Sequence, residues 1–273
     1  MGLTDMSSSL ERGLSVLDML STHPEGMAVG QVASALDLPP SGVHRMLNQL
    51  VEYGYVHQDG TKSAYVLGMK LPALGLAYLA QSGITDIAQP ILDRLAAQTQ
   101  LLIRLSVIDG EDLVWVAVAQ GATTGLRYDP GSEQGVTAHL ASSASGLAWL
   151  STLSDDEALM KAARQGFVRD GAGARAPRSS GELLSRLRAT REQGYSVTVD
   201  SFMPGMAAMA APVRGAEDKG TLGAISIAGP SVQLEPRRMQ VLSPALLEAA
   251  REMGRAAIGS AYFRRALSEP QAV

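Results

Sequence analysis

The sequence predicts an α+β chain built from two parts, and three observations predict it. Helix-spaced apolar residues recur in three short runs between Leu10 and Leu50, and two β-prone runs around Asp59-Gly60 close that stretch off. Beyond residue 100, runs rich in Leu, Val and Ile are set between turn signals and flanked by helical stretches, the pattern of a largely antiparallel sheet with helices. A length of 273 residues is long for one compact domain and comfortable for two. The divisions expected are 1–67, a connecting helix over 68–82, and 83–273.

In the N-terminal part, Ser8 and Glu11 have capping-box spacing, and Leu10, Leu14, Leu17 and Leu20 follow at helical intervals. His23-Pro24-Glu25-Gly26 should stop that helix. A second short helix is expected from about Gly30 to Leu36, a turn at Leu38-Pro39-Pro40, and a third helix ending at Gly54, a favoured left-handed C-cap residue. Wound at about 100° per residue, the third helix puts Val43, Met46, Leu47, Leu50 and Val51 on one arc and Ser41, His44, Arg45 and Asn48 on the other. The apolar arc must be buried. The polar arc is either a solvated face or a set of groups suited to base edges and phosphates. Asp59-Gly60 between Tyr55–Gln58 and Ala64–Leu67 predicts a hairpin. Three helices and a hairpin, in that order, form a winged helix-turn-helix, with His57, Lys62 and Ser63 at the wing. Residues 68–79 read as an apolar helix suited to dimer formation or domain docking.

In the C-terminal part, residues 86–98 read as a helix, and 101–108 and 112–119 as a hairpin turning at Asp109-Gly110. Leu126-Arg127-Tyr128 reads as a further short strand. Helices are expected late in 139–151 and over 155–165 and 182–193, with strands at 195–199, 207–213 and 221–228. Residues 235–266 read as a long closing helix broken or restarted at Pro244. Residues 166–181, with Arg169, Arg175 and Arg178 among small residues, read as a mobile loop.

Composition narrows the function classes. There is no cysteine, which removes disulfides and thiolate metal sites and fits a reducing, cytoplasmic setting. No basic n-region leads into an apolar stretch near the start, and the longest charge-free run, 135–154, is too rich in serine and small residues to span a bilayer well. The formal net charge is −4, and residues 1–80 hold only Arg12, Arg45, Lys62 and Lys70 against seven acidic residues. A DNA-binding module of that charge neutralises few phosphates per copy, so several copies should act together.

Ser9-Leu10-Glu11-Arg12-Gly13-Leu14, the stretch Gly42 to Val56 and Tyr65-Val66-Leu67-Gly68 together resemble the IclR family of bacterial transcriptional regulators. Two further segments are similar to that family: Leu140 to Leu150, where small residues precede a glycine at a helix start, and Gly194 to Val213, with Asp200 ahead of Pro204-Gly205 and a strand ending Ala-Ala-Pro-Val. The resemblance implies a GAF/PAS-like α/β effector-binding domain behind the winged module, a palindromic double-stranded DNA operator, a dimer or tetramer, a small-molecule effector, and no cofactor, metal or membrane partner. It implies repression of a catabolic operon.

On this reading Ser41, Gly42, His44, Arg45, Asn48, Lys62 and Ser63 are the expected DNA contacts. The expected effector residues are Tyr128, Ser142, Ser143, Ala144, Ser145, Asp200, Met206 and Ala208. Their physics agrees. Residues 142–145 have little bulk, and N–H groups at the helix start favour a polar acceptor. Met206 and Ala208 offer an apolar wall, Tyr128 a ring to stack on, and Asp200 an acceptor. The sequence departs from the family where Ser201 follows Asp200 in place of a second acid, and where Thr198 and Ala208 stand in place of an acid and a cysteine. The pocket should therefore be less anionic than in relatives that bind short keto acids, leaving room for a larger or aromatic acid or a neutral derivative.

Enzyme motifs are weak. Gly171-Ala172-Gly173-Ala174-Arg175-Ala176 follows no hydrophobic strand and precedes Pro177, so it is a poor dinucleotide loop. Ser142 to Gly146 lacks the glycine spacing of a nucleophile elbow. The four histidines, His23, His44, His57 and His139, share no metal-ligand spacing. The alternative is a small-molecule hydrolase or sensor whose helix-turn-helix contacts protein only.

Overall fold

The computed structural model describes residues 8–60, 63–129, 135–216 and 220–268. The chain divides into two compact units, residues 1–79 and 80–273. In the first, α1 (Ser9–Ser21) starts with the full capping box: Ser8 Oγ accepts from Glu11 N, and the Glu11 carboxylate accepts from Ser8 N. α2 (Val29–Leu36) ends on Asp37, whose left-handed backbone (φ 52°) an aspartate tolerates better than most residues. α3 (Pro40–Glu52) begins with a proline, which has no N–H to leave unsatisfied there. Val43 and Leu47 of α3 are fully buried with Val16, Leu20, Val32, Leu36 and Val56, and Met46, Leu50 and Val51 pack around them.

β1 (Val56–Gln58) and β2 (Tyr65–Leu67) pair antiparallel. Their connection is longer than a two-residue Asp-Gly turn. Asp59 N donates to Ala64 O at 2.7 Å, and the left-handed residue is Ser63 (φ 52°). The pair 59/64 encloses four residues, so the turn is closed from its far end. A third edge is provided by Met27, which bridges Tyr65 through both backbone bonds (3.0 and 2.8 Å). α4 (Lys70–Ser82) follows, and Lys70 Nζ donates to Tyr53 O at 2.8 Å.

The second unit is a five-stranded sheet with helices on both faces. α5 (Ile84–Thr99) leads into β3 (Leu102–Asp109) and β4 (Asp112–Gln120), which turn at Gly110 (φ 59°). α6 (Ala144–Leu150), α7 (Asp155–Gln165) and α8 (Ser180–Gln193) precede β5 (Ser196–Val199), β6 (Met206–Arg214) and β7 (Thr221–Pro230). The strand order is β4-β3-β7-β6-β5, with every neighbour antiparallel. β3 and β7 lie inside the sheet and are buried on both faces, which explains why neither alternates between apolar and polar residues. α6 sits against Ala210 and Ala224 through Ala144 and Ala148, small residues that let helix and sheet approach closely.

Two expectations are corrected here. Residues 126–128 form no strand, because side chains take up their carbonyls: Gln233 Nε2 donates to Leu126 O (2.6 Å) and Gln120 Nε2 to Tyr128 O (2.7 Å). Pro244 does not break the closing helix. α9 (Pro236–Ala256) runs through it, and Ser243 Oγ donates to Gln240 O (3.0 Å), the carbonyl that the missing proline N–H would have served. The interruption comes instead at residues 257–260, before α10 (Ala261–Ser268). There Ser260 Oγ donates to Ser82 O at 2.7 Å.

Candidate functional site

α3 presents two different sides. While Val43 and Leu47 are sealed in the core, Ser41, His44, Arg45 and Asn48 are exposed and Gly42 is half-buried. A Cβ at Gly42 would meet nothing within 4 Å, so no neighbour in the chain requires glycine there. Arg45 makes no hydrogen bond or ion pair among the described residues. Asn48 is more constrained: its Nδ2 lies 3.4 Å from His44 Nδ1, and its Oδ1 accepts from Tyr65 OH at 3.4 Å, which ties α3 to the base of the hairpin. Ser63 is exposed on the wing, and Lys62 lies outside the described residues.

In the second unit, a cavity with about 410 Å³ of space between its lining atoms, part of it open to solvent, lies between α6 and the sheet. Its floor follows from strand register. Arg104 on β3 stands opposite Ser226 on β7, and in the next same-face row Ala228 pairs with Ala208 and Ala208 with Thr198. Side chains two apart on a strand share a face, so these residues form one surface. Ser143, Ala144 and Ser145 at the start of α6 form the roof, while Trp115, Tyr128, Phe202 and Met206 complete the lining. Ser196 Oγ holds the roof to the sheet by donating to Ala144 O at 2.6 Å.

Tyr128, Ser143, Ala144, Ser145, Met206 and Ala208 thus come together around one space, and two expected residues do not. Ser142 is fully buried outside the lining, its Oγ 2.8 Å from His139 Nδ1 and its carbonyl accepting from Ser201 Oγ. Asp200 is a turn residue: with φ 48° it directs its carboxylate to Gly205 N (2.7 Å). Short polar residues that look available in sequence are here consumed by local hydrogen bonds, to a side chain for Ser142 and to the backbone for Asp200. The N–H groups expected to be free at the start of α6 are also partly used, since Ser143 Oγ accepts from Gly146 N.

Sequence reasoning missed Arg104, Trp115, Phe202 and Ser226, whereas Thr198, read as a pocket position from its departure from the family, does line the cavity. One signal was available: Arg104 is a lone charge inside the run Leu101–Val107, and a charge within a two-sided buried strand has to face something polar. The loop from 166 to 178 is not the mobile segment its composition suggests. Gly173 N donates to Ser201 O and Arg175 N to Asp200 O, while Arg169 donates to Phe202 O and stacks on that ring at 4.2 Å. It straps the β5–β6 turn that carries Phe202 into the cavity wall. At Gly173 a Cβ would fall 2.1 Å from Asp200 O, so the close approach requires glycine.

His139 borders the roof without lining the cavity. Its Nε2 lies 2.9 Å from Gly166 O, so the neutral ring donates there and accepts from Ser142 at Nδ1. Burial pushes its pKa below the ordinary histidine value, the Gly166 bond opposes that shift, and nearby Arg169 adds to it. The unfolded chain therefore binds a proton more readily than the folded one, and stability is lost as pH falls through the unfolded value. His139 is the single histidine of residues 80–273. The denaturation midpoint of that unit is expected to fall from about pH 7 downward, and His139→Gln should flatten the dependence. A slope unchanged in the variant would assign it to other groups.

Among the described residues no cluster of His, Asp and Glu could hold a metal, and no helix is long and apolar enough to cross a membrane. Residues 9–60 match the family model described as the IclR helix-turn-helix domain, and residues 76–255 match that of the bacterial transcriptional regulator IclR C-terminal domain. A relative from Paracoccus denitrificans, the HTH-type transcriptional regulator BhcR, is 28% identical over 90% of this chain and 85% of its own. The acetate operon repressor of Salmonella typhimurium is 27% identical over 92% of this chain and 90% of its own. An IclR homologue from Microbacterium hydrocarbonoxydans, solved in complex with 4-hydroxybenzoate, shares the fold with a TM-score of 0.73 at 19% identity, over 93% of this chain and all of that one. The relatives are transcriptional regulators, and with two family models covering most of its length the chain belongs to the IclR family of bacterial transcriptional regulators.

Proposed function

We propose that the chain is a ligand-responsive repressor that binds a palindromic operator through α3 and its wing and senses a small organic acid or derivative in the cavity beside α6. The observation that carries the DNA half is the division of α3 into a sealed apolar arc and an exposed arc of Ser41, His44, Arg45 and Asn48. In a winged module that arc enters the major groove, with Gly42 allowing close approach of the backbone and Ser63 and Lys62 meeting phosphates. The module is residues 1–67, the connecting helix 68–82 and the effector domain 83–273. Leu74, Leu76 and Tyr78 on α4 are more than half exposed in the single chain, which supports pairing of two copies, as a dimer or a tetramer, on a two-fold operator. The names of relatives support repression, and the bound 4-hydroxybenzoate of one structural neighbour supports an acid as effector.

A mobility-shift assay with the gene's own upstream DNA tests the proposal, repeated with candidate acids. Retarded DNA that is released by an acid is the expected result. DNA that never shifts rejects operator binding, and a shift insensitive to every acid rejects sensing. With at most Arg12, Arg45, Lys62 and Lys70 available in residues 1–80 of each copy, the slope of log K against log salt should be no steeper than about −4 per copy. A steeper slope would place phosphate contacts elsewhere on the chain.

A further inference from the structure

Gly254 marks the place where α9 crosses the end of β6. A Cβ there would fall 2.0 Å from Arg214 O, so only glycine lets the two backbones come this close. Beside the crossing, Glu248, Arg251 and Arg255 form an exposed stripe on α9 at spacings of three and four. Arg251 donates to Glu248 Oε2 through Nε (3.1 Å) and Nη2 (3.0 Å), and Arg255 Nη2 donates to Oε1 at 3.0 Å. One carboxylate thus holds two guanidinium groups in place and balances only one of them. Arg214, the last residue of β6, is exposed, and its side chain makes no hydrogen bond or ion pair among the described residues. The three arginines line one groove, with about 1030 Å³ of space between its lining atoms, part of it open to solvent. Its described lining holds no carboxylate, and Pro212, Leu247 and Ala250 give it apolar surface. It shares no residue with the cavity beside α6.

We propose that this groove is a second ligand site, which takes a phosphate monoester: the phosphate between Arg214 and the Arg251–Arg255 pair, the carbon body on Pro212, Leu247 and Ala250. The inference does not depend on the cavity beside α6 being an effector site. Three guanidinium groups against the one carboxylate of Glu248 leave two positive charges. A phosphate monoester, with a second pKa of about 6, brings nearly two negative charges at pH 7.5 and three acceptor oxygens. Each guanidinium fork matches a pair of those oxygens. A monocarboxylate brings one charge and two oxygens, too few for guanidinium groups arriving from both the helix and the strand. Because the charges are exposed, salt screens them, and affinity should fall as chloride rises.

The test titrates the full-length protein by calorimetry with phenyl phosphate, inorganic phosphate and acetate, at pH 7.5 and low salt. Phenyl phosphate should bind, inorganic phosphate about 5-fold more weakly for want of a carbon body, and acetate at least about 10-fold more weakly. Arg214→Ala should weaken phenyl phosphate about 10-fold and leave the melting temperature unchanged, since the side chain is exposed and has no partner among the described residues to lose. Glu248→Gln should tighten phenyl phosphate about 3-fold by removing the competing charge, and a gain of affinity cannot come from misfolding. Acetate bound as tightly as phenyl phosphate overturns the phosphate class and needs no variant. Inorganic phosphate bound as tightly overturns the ester. Phenyl phosphate that fails to bind, that binds Arg214→Ala as well as wild type, or that binds Glu248→Gln no more tightly overturns the site. A duplex of unrelated sequence that displaces phenyl phosphate from wild type overturns the small-molecule assignment and gives the groove to a nucleic-acid backbone.

Discussion

Arg45→Ala is expected to weaken binding to the operator by about 1–3 kcal/mol for each module engaged, and by about twice that when two modules share a palindrome. Arg45 projects from the polar arc of α3 and has no partner among the described residues to lose. Its removal should therefore leave the melting temperature of the free protein where it was, since exposed substitutions away from special features stay within about 0.5 kcal/mol. That separation makes the experiment decisive, because a loss of affinity cannot be blamed on a loss of fold. Arg45→Lys divides the effect further. It keeps the charge and loses the planar fork, so partial recovery indicates a phosphate and failure to recover indicates a base edge. Fluorescence anisotropy with the upstream duplex measures both variants. An Arg45→Ala protein that binds like wild type would remove Arg45 from the interface.

The neighbours of Arg45 should give mixed results for a physical reason. His44 and Asn48 are within reach of one another, and Asn48 accepts from the hydroxyl of the buried Tyr65. Truncating Asn48 removes a possible base reader and also loosens the join between α3 and the wing. Arg45 reports recognition more cleanly than either.

The parts of the fold that were legible in sequence are those specified by local spacing. The Ser8–Glu11 box, the two arcs of α3 and the Asp109-Gly110 hairpin depend on residues within a few positions of each other. The misreadings came where a distant or unremarkable side chain altered the hydrogen bonding. Gln120 and Gln233 dissolve the strand expected at 126–128, and Ser243 lets a helix pass through Pro244. The cavity shows the same division. Its roof, at Ser143 to Ser145, is one contiguous stretch and could be named. Its floor is two adjacent same-face rows spread over four strands, and the neighbourhood of Arg104, Ser226, Ala208 and Thr198 exists only once the strand order β3-β7-β6-β5 and its register are known. A shift of one residue would have turned those side chains to the other face.

Gly146→Ala is expected to destabilise the second unit by about 3 kcal/mol and to deform the cavity roof. Alanine at a helical position gains about 1 kcal/mol over glycine by propensity, so the substitution should help wherever space allows. Here it does not, because the new Cβ would lie 2.4 Å from both Cα and O of Leu140. Both atoms are backbone, and Leu140 is itself fully buried and bound through its N–H to Gln165 Oε1. The strain cannot be relieved by a side-chain rotation, so α6 must lift away from the preceding turn. Lifting it opposes the bond from Ser196 to Ala144 O and displaces Ser143, Ala144 and Ser145, the residues that close the cavity. Gly181→Ala in α8 is the matched control, since a Cβ there meets nothing within 4 Å and should stabilise by up to about 1 kcal/mol. For a unit of this size the two variants should move its melting transition by roughly 10 °C downward and a few degrees upward. Ligand affinity should fall in the first alone. Equal melting of Gly146→Ala and wild type would mean that α6 is seated loosely, and a loosely seated α6 could not define the shape of the site beneath it.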